Sequence, residues 1–333
     1  MSPRPLCILV AVSLTAALAG APGGQGRLYR HEASRLSMAC VYAIEAYGGD
    51  AGALPRILED AFDEVDRIDR LMSNYRSGSE LSRINREAAA HPVAVDAELF
   101  DFIREALRYQ RQSEGTFDIT VGPLMKAWGF FRGEGRMPAA GELTAARRNV
   151  GGDHVVLNAA DRTVRFDRAG VELDLGGIAK GYAVDRVVRL LVDRRIPAAL
   201  VSAGGSTIYA LGAPPGRHAW EVAIQDPADA RKTALTLQLK DRAVSVAGSS
   251  EKWFEADGVR YSHIMDPRTG MPVQGVLSVV VLAATGTAGD ALDDAFYVLG
   301  PSASRPYLHR LTRTEAFFFL PDAVRRWKMV HAG

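Results

Sequence analysis

Leu54-Pro-Arg-Ile-Leu-Glu-Asp-Ala-Phe-Asp-Glu-Val-Asp-Arg-Ile-Asp-Arg-Leu-Met72 is the stretch that decides the fold class. Its apolar residues fall at 54, 57, 58, 62, 65, 68 and 71. That three-to-four spacing presents one face of a helix to a core and leaves acids and arginines on the other. A short second helix opens at Ser79-Glu80-Leu81-Ser82, a third covers 95–114, and another covers 183–193. Residues 154–157, 163–166, 171–173, 199–202, 220–224, 234–239, 243–246, 276–282 and 315–320 read as strands, alternating or rich in β-branched residues, with turn residues between them. Long helices and a run of consecutive strands in separate stretches predict an α+β fold, because a regular βαβ alternation is absent.

Composition supports a folded body. Of 333 residues, 47% are apolar and 24% charged, which is enough to build a full core and excludes a disordered chain. A net charge of +1, with both signs spread along the length, supplies no basic stripe for nucleic acid and no acidic tail. At the start, Arg4 precedes an apolar run from Leu6 through Leu14 and then Ala17-Leu18-Ala19, the pattern of a secretory signal peptide over 1–19. The run is shorter than the roughly 20 apolar residues of a membrane span. Cys7 comes too early, with too little apolar sequence before it, for a lipidation cysteine. A flexible segment is expected over 20–29. Beyond it no Pro/Gly/Ser linker interrupts 30–333, which predicts a single large domain, undivided or in two lobes. With the signal removed, Cys40 is the only cysteine, so an exported chain of this kind, expected in the periplasm, has no internal disulfide and relies on its core.

Three distant segments carry chemistry. In Gly289-Asp-Ala-Leu-Asp-Asp-Ala295 a helix would place Asp290 and Asp294 on one face, where two carboxylates can meet a hard cation, with Asp293 in reach to assist. Carboxylates at a helix start are also favoured by the helix dipole alone. Three so close repel one another unless a cation joins them. Asp174-Leu-Gly-Gly-Ile-Ala-Lys-Gly-Tyr-Ala-Val-Asp185 puts a glycine pair, Gly176-Gly177, and Lys180 between an apolar stretch and a helix. Its N–H groups and the lysine could cradle a phosphate; a tight strand-to-helix turn with a surface lysine is the other reading. His263-Ile-Met-Asp-Pro-Arg-Thr-Gly270 reads as a strand end entering a turn, with a base, an acid and a cation within six residues. Gly115-Thr-Phe-Asp118, Gly122-Pro123 and Trp128-Gly129-Phe130 supply aromatic faces that can line a flat ring or pack a core equally well.

These segments occur in an order that resembles the ApbE family, the exported, magnesium-dependent FAD:protein FMN transferases. The shared elements are Met38 before Tyr42; Met72-Ser-Asn-Tyr75 with Ser79-Glu-Leu-Ser-Arg-Ile-Asn85; Gly115-Thr-Phe-Asp-Ile-Thr-Val-Gly-Pro123 with Trp128-Gly-Phe130; Asp174 to Asp185; Gly204-Gly205; His263 to Gly270; and Gly289 to Gly300. The resemblance implies an ApbE-like, T-fold-related domain with mostly antiparallel sheets flanked by helices. It implies cleavage of FAD, transfer of its FMN phosphoryl group to a threonine of an exported or membrane redox protein, and release of AMP. By position, Asp290, Asp294 and the backbone oxygen of Gly177 would hold Mg2+. Met38, Tyr75, Thr116, Phe117, Asp118, Asp174, Lys180 and Ile264 would contact FAD. His263 is the candidate for deprotonating the acceptor, with Asp266 orienting it, and the acceptor would bring the protein to the membrane surface. Hydrolysis of FAD to FMN and AMP, or flavin carriage without catalysis, are the alternatives at the same site.

The chain departs from the family pattern around this pocket. Asp294, preceded by Asp293, stands where threonine is common, and Met38-Ala-Cys40 where Met-Gly-Thr is usual. Val246-Ala247-Gly248 replaces Thr-Ser-Gly, and Ser206 follows Gly204-Gly205 where an acid is common.

Overall fold

The computed structural model describes residues 27–131, 133–250 and 252–333. The expected signal peptide, 1–19, and most of the segment 20–29 lie outside the described residues. The first strand, β1 (Tyr29–Ser37), turns into β2 (Cys40–Gly48), with Ser37 paired to Cys40. The two-residue loop between them holds Met38 and Ala39 at positive φ, 47° and 60°, the left-handed pair that matches the twist of a tight hairpin. Sequence patterning missed both strands. Arg30, Glu32 and Arg35 break up the apolar signal of β1, an edge strand with a mostly exposed surface.

Helix α1 (Leu54–Met72) has the bounds its spacing predicts, with Pro55 in the first turn and Leu58, Phe62, Val65 and Ile68 buried. Next come α2 (Glu80–Glu87), capped by the Ser79 hydroxyl on Ser82 N–H, and β3 (Val93–Ala94). They are followed by α3 (Ala97–Gln112), α4 (Gly122–Ala127) and α5 (Ala140–Arg147). Strands β4 (Val155–Asn158) and β5 (Thr163–Phe166) complete a small sheet in the order β3-β5-β4.

The expected strand at 171–173 is absent. This extended stretch has its backbone partners elsewhere: Asn85 holds the Leu173 N–H and C=O with its side-chain amide, and Asp174 N–H reaches Ile119 C=O. The next helix, α6 (Ala179–Asp193), starts four residues earlier than its apolar pattern suggests, so Lys180 and Gly181 belong to its first turn.

Strands β6 (Ala198–Ala203) and β7 (Thr207–Leu211) precede a long hairpin, β8 (Trp220–Asp226) with β9 (Asp229–Leu239), and then β10 (Arg242–Gly248). Two short ribbons follow: β11 (Trp253–Ala256) with β12 (Val259–Ser262), and β13 (Met265–Asp266) with β14 (Met271–Pro272). After β15 (Ser278–Ala283) and α7 (Gly286–Leu308), the chain ends in β16 (Glu315–Asp322) and β17 (Arg326–Ala332). Gly300, at φ 73°, kinks α7 just before Pro301.

Eight strands form one antiparallel sheet in the order β1-β2-β6-β7-β10-β15-β16-β17, joining both ends of the described chain. Side chains alternate across it. Ala199, Val201, Val279, Val281 and Phe318 enter a core shared with α1, α3, α6 and α7. Their neighbours Leu200, Ile208, Val244, Val280, Leu282 and Phe319 pack beneath Trp220, Val222, Ile224, Leu237 and Leu239 of the β8-β9 hairpin. Strand β15, covered on both faces, is buried at every residue. No helix among the described residues is long and apolar enough to cross a membrane.

Candidate active site

The first turns of α6 and α7 meet beside the sheet, and glycine makes the meeting possible. A Cβ on Gly181 would land on the Gly286 carbonyl oxygen, and one on Gly289 would press to 3.1 Å from Ser245 Cβ. This close approach lets the α7 carboxylate of Asp290 accept a bond from Gly181 N–H at 2.9 Å and from Thr207 Oγ1 at 2.9 Å. Thr207 in turn shares a hydroxyl contact of 3.0 Å with Ser245. One turn further along α7, Asp294 lies against Gly177, where a Cβ would collide with the carboxylate. Asp293 is buried between them. Burial, together with repulsion from Asp294 and Asp290, pushes its carboxyl well above the ordinary aspartate range.

Above this floor is a cavity of about 1030 Å3, large enough for an extended, ring-bearing ligand. Met38, Tyr75, Thr116, Phe117, Asp118, Asp174, Gly177, Lys180, His263, Ile264, Asp290 and Asp294 all line it. Of the residues to which the resemblance gives a role at the site, Asp266 alone is not part of the lining. Both of its oxygens hold the Arg268 guanidinium at 2.9 Å, and Oδ1 also accepts Arg268 N–H, so its carboxylate serves the turn. His263 Nδ1 stands 3.3 Å from the Lys252 carbonyl, and its ring meets Phe130 edge-on.

Lys180 Nζ donates to Ser206 Oγ at 2.8 Å. The position where the family often has an acid therefore holds the ammonium with a neutral hydroxyl, and the charge of Lys180 also acts on the buried Asp293 carboxyl. Asp174 is buried and receives Gly176 N–H at 2.9 Å. Desolvation raises its carboxyl, opposed by that bond, by Asn74 and by the charge of Lys252. Asp118 is likewise pushed up by burial, although Thr120 donates to it from both N and Oγ1 at 2.7 and 2.6 Å.

At the mouth, Tyr75 and Phe131 stack with centroids 5.0 Å apart and planes 10° from parallel. Phe131, Asn74 and Lys252 are lining residues that sequence reasoning did not single out as ligand contacts. The aromatic signal for Phe131 was present, next to Phe130. For Lys252 no local pattern exists, because the fold alone brings it near Asp174. The substituted positions Cys40, Val246 and Ala247 line the same cavity.

A hard cation fits the donor set at the floor, since only oxygens are offered and the acids repel one another in a desolvated place. Among the described residues no three His, Cys, Asp or Glu side chains are arranged to hold a metal. Two carboxylates, a backbone oxygen, water and ligand phosphate form the kind of shell that magnesium accepts.

Buried carboxylates, a lysine at a helix start and stacked aromatics around one large cavity define a protein that handles a charged, ring-bearing small molecule. The chain belongs to the ApbE family, whose model matches residues 38–318. It is 33% identical to the FAD:protein FMN transferase of Treponema pallidum, over 95% of this chain and 90% of that one. It is 36% identical to that of Vibrio cholerae, over 74% and 72%. Among solved structures, the ApbE protein of Thermotoga maritima superposes with a TM-score of 0.83 at 28% identity, covering 91% of this chain and 97% of its own. The flavin transferase ApbE of Vibrio cholerae gives 0.82 at 28% identity, covering 92% and 98%. The mixed fold of helices and antiparallel sheets expected from the sequence is therefore the family's.

Proposed function

We propose that this chain is a FAD:protein FMN transferase that uses magnesium, places FMN on a threonine hydroxyl of an exported or membrane redox protein, and releases AMP. The observation that carries the reading is the convergence of Gly177, Lys180, Asp290 and Asp294 on one cavity floor beneath an aromatic mouth. In the balanced step, the threonine oxygen bonds to the FMN phosphorus, the anhydride bond to the AMP phosphate breaks, and the hydroxyl proton leaves to a base.

Asp290, Asp294 and the Gly177 backbone oxygen would hold the magnesium, which when bound would neutralise phosphate oxygens and polarise the phosphorus. Lys180, fixed by Ser206, sets a point charge against the diphosphate. Tyr75 and Phe131 offer faces to a flat ring. His263, in the cavity wall, would take the acceptor's proton. Asp266 holds Arg268 and shapes the turn that carries His263. An N-terminal signal over 1–19 would deliver the chain to the periplasm, where an acceptor at the membrane surface would meet it.

The test is AMP release from FAD by the purified protein, with and without magnesium and with and without a threonine-bearing acceptor domain. Magnesium-dependent release with flavin fixed covalently to the acceptor is the expected result. Release without labelling would make the protein a FAD pyrophosphatase, and retained FAD without release would make it a carrier.

A further inference from the structure

Asp185 closes the glycine–lysine segment, yet the reaction above gives it no task. It lies on the second turn of α6 and reaches across to the start of α7. Its Oδ1 accepts Gly286 N–H at 2.6 Å, and its Oδ2 accepts Thr287 N–H at 2.8 Å and Thr287 Oγ1 at 2.6 Å. Thr285 Oγ1 takes the next free amide, that of Ala288, at 3.1 Å. The orphan donors of the first turn of α7 are thus satisfied, two of them by another helix.

The arrangement is reciprocal. A carboxylate of α6 holds the first amides of α7, while Asp290, a carboxylate of α7, holds the Gly181 amide of α6. Between these two links Gly181 and Gly286 touch backbone to backbone, where a side chain on either would force the helices apart. Sliding α7 by a single residue would break all the bonds at once. It would also shift Asp290 and Asp294 against Gly177 and Lys180.

We propose that Asp185 is a positioning residue for the cation shell, setting the register of α7 on α6 and hence where Asp290 and Asp294 stand relative to Gly177. The inference rests on the two-carboxylate metal reading. Asp185 touches neither the cation nor the ligand; it acts through the helix that carries them, as residues behind metal ligands commonly do.

The test is a titration with Mn2+ in the presence of FAD, followed by electron paramagnetic resonance, on the wild type, Asp185→Asn, Thr287→Val and Phe62→Leu. Asparagine keeps one acceptor oxygen and turns an N–H group toward a donor. Asp185→Asn is expected to weaken Mn2+ about tenfold, while FAD affinity without metal stays within about twofold. Phe62→Leu, a core change in α1 at a residue outside the cavity lining, is expected to lower Tm without moving Mn2+ affinity, which separates positioning from general stability. Equal Mn2+ affinity in Asp185→Asn and wild type would overturn the proposal while leaving the metal reading standing. If the wild type binds no Mn2+, the metal reading falls and this inference falls with it. Should Asp185→Asn not fold, Thr287→Val decides, since it removes only the hydroxyl bond: weaker Mn2+ binding supports the register role and unchanged binding overturns it.

Discussion

The floor and the mouth of the cavity are built on opposite plans. The floor comes from the first turns of two helices in glycine contact, where each polar atom of Asp290 has a fixed donor. The mouth comes from connecting segments around Tyr75, Phe131 and His263, where rings meet rings. A rigid, charged floor suits chemistry on phosphate, where misplacement by an ångström is costly. A mouth on loops suits admission of a large ligand and then of a protein.

Breaking the floor should have the largest effect. Asp294→Ala is expected to reduce magnesium-dependent AMP release at least a hundredfold, on the order of 3 kcal/mol of transition-state stabilisation, while thermal unfolding without metal shows little loss. Asp290→Ala should lose activity to the same degree and also cost about 2–4 kcal/mol of stability, because it strands the Gly181 and Thr207 donors. Denaturant titration separates the two variants, and equal stabilities would refute the assigned difference between them. Lys180→Ala comes next: losing a charge-assisted contact to phosphate should weaken FAD about tenfold to a hundredfold, read by flavin fluorescence quenching.

The mouth should respond more weakly. Phe131→Ala is expected to weaken FAD only about threefold to tenfold, the worth of one ring contact, with no change in Tm. A loss as large as that of Lys180→Ala would erase the contrast between the regions. Asp118, in the wall between them, has a pKa raised by burial, so the folded state binds a proton more readily than the unfolded state. Stability should therefore fall as pH rises from about 3.9 through the raised value. Asp118→Asn should flatten that slope, measured by denaturation at pH 4 and pH 6. The smallest effect is expected at the entry turn. Ala39 sits at φ 60°, and Ala39→Gly should relieve about 1 kcal/mol of left-handed strain, less what glycine adds to the unfolded chain's freedom. A Tm rise of about one to two degrees would register it.

How much of this could be read from the chain follows from where each signal lives. The face of α1 and the cap at Ser79 are local patterns, and both elements form where those patterns predict. The carboxylates of α7 and the glycines just before α6 were legible because three acids in five residues and two adjacent glycines are locally improbable. Strand β1 was hidden because an edge strand bears charges where a pattern reader looks for apolar alternation. The absence of a strand at 171–173 was hidden by Asn85, a residue 88 positions from Leu173 whose amide replaces a ladder partner. The approach of Lys252 to Asp174 and the span of Asp185 to α7 are tertiary facts. No window of sequence contains them.

Among the described residues the main sheet is open, with β1 and β17 at its two margins. Open margins invite a second chain to add strands, the first step of uncontrolled fibre growth. Here β1 carries Arg30, Glu32 and Arg35, tied into ion pairs with Glu45 and with Glu59, Asp63 and Asp66 of α1, while β17 carries Arg326, Lys328 and His331. A strand arriving at either margin would have to bury these charges or strip them from their partners. The pattern that disguised β1 in the sequence thus acts as a guard against self-association of the finished sheet.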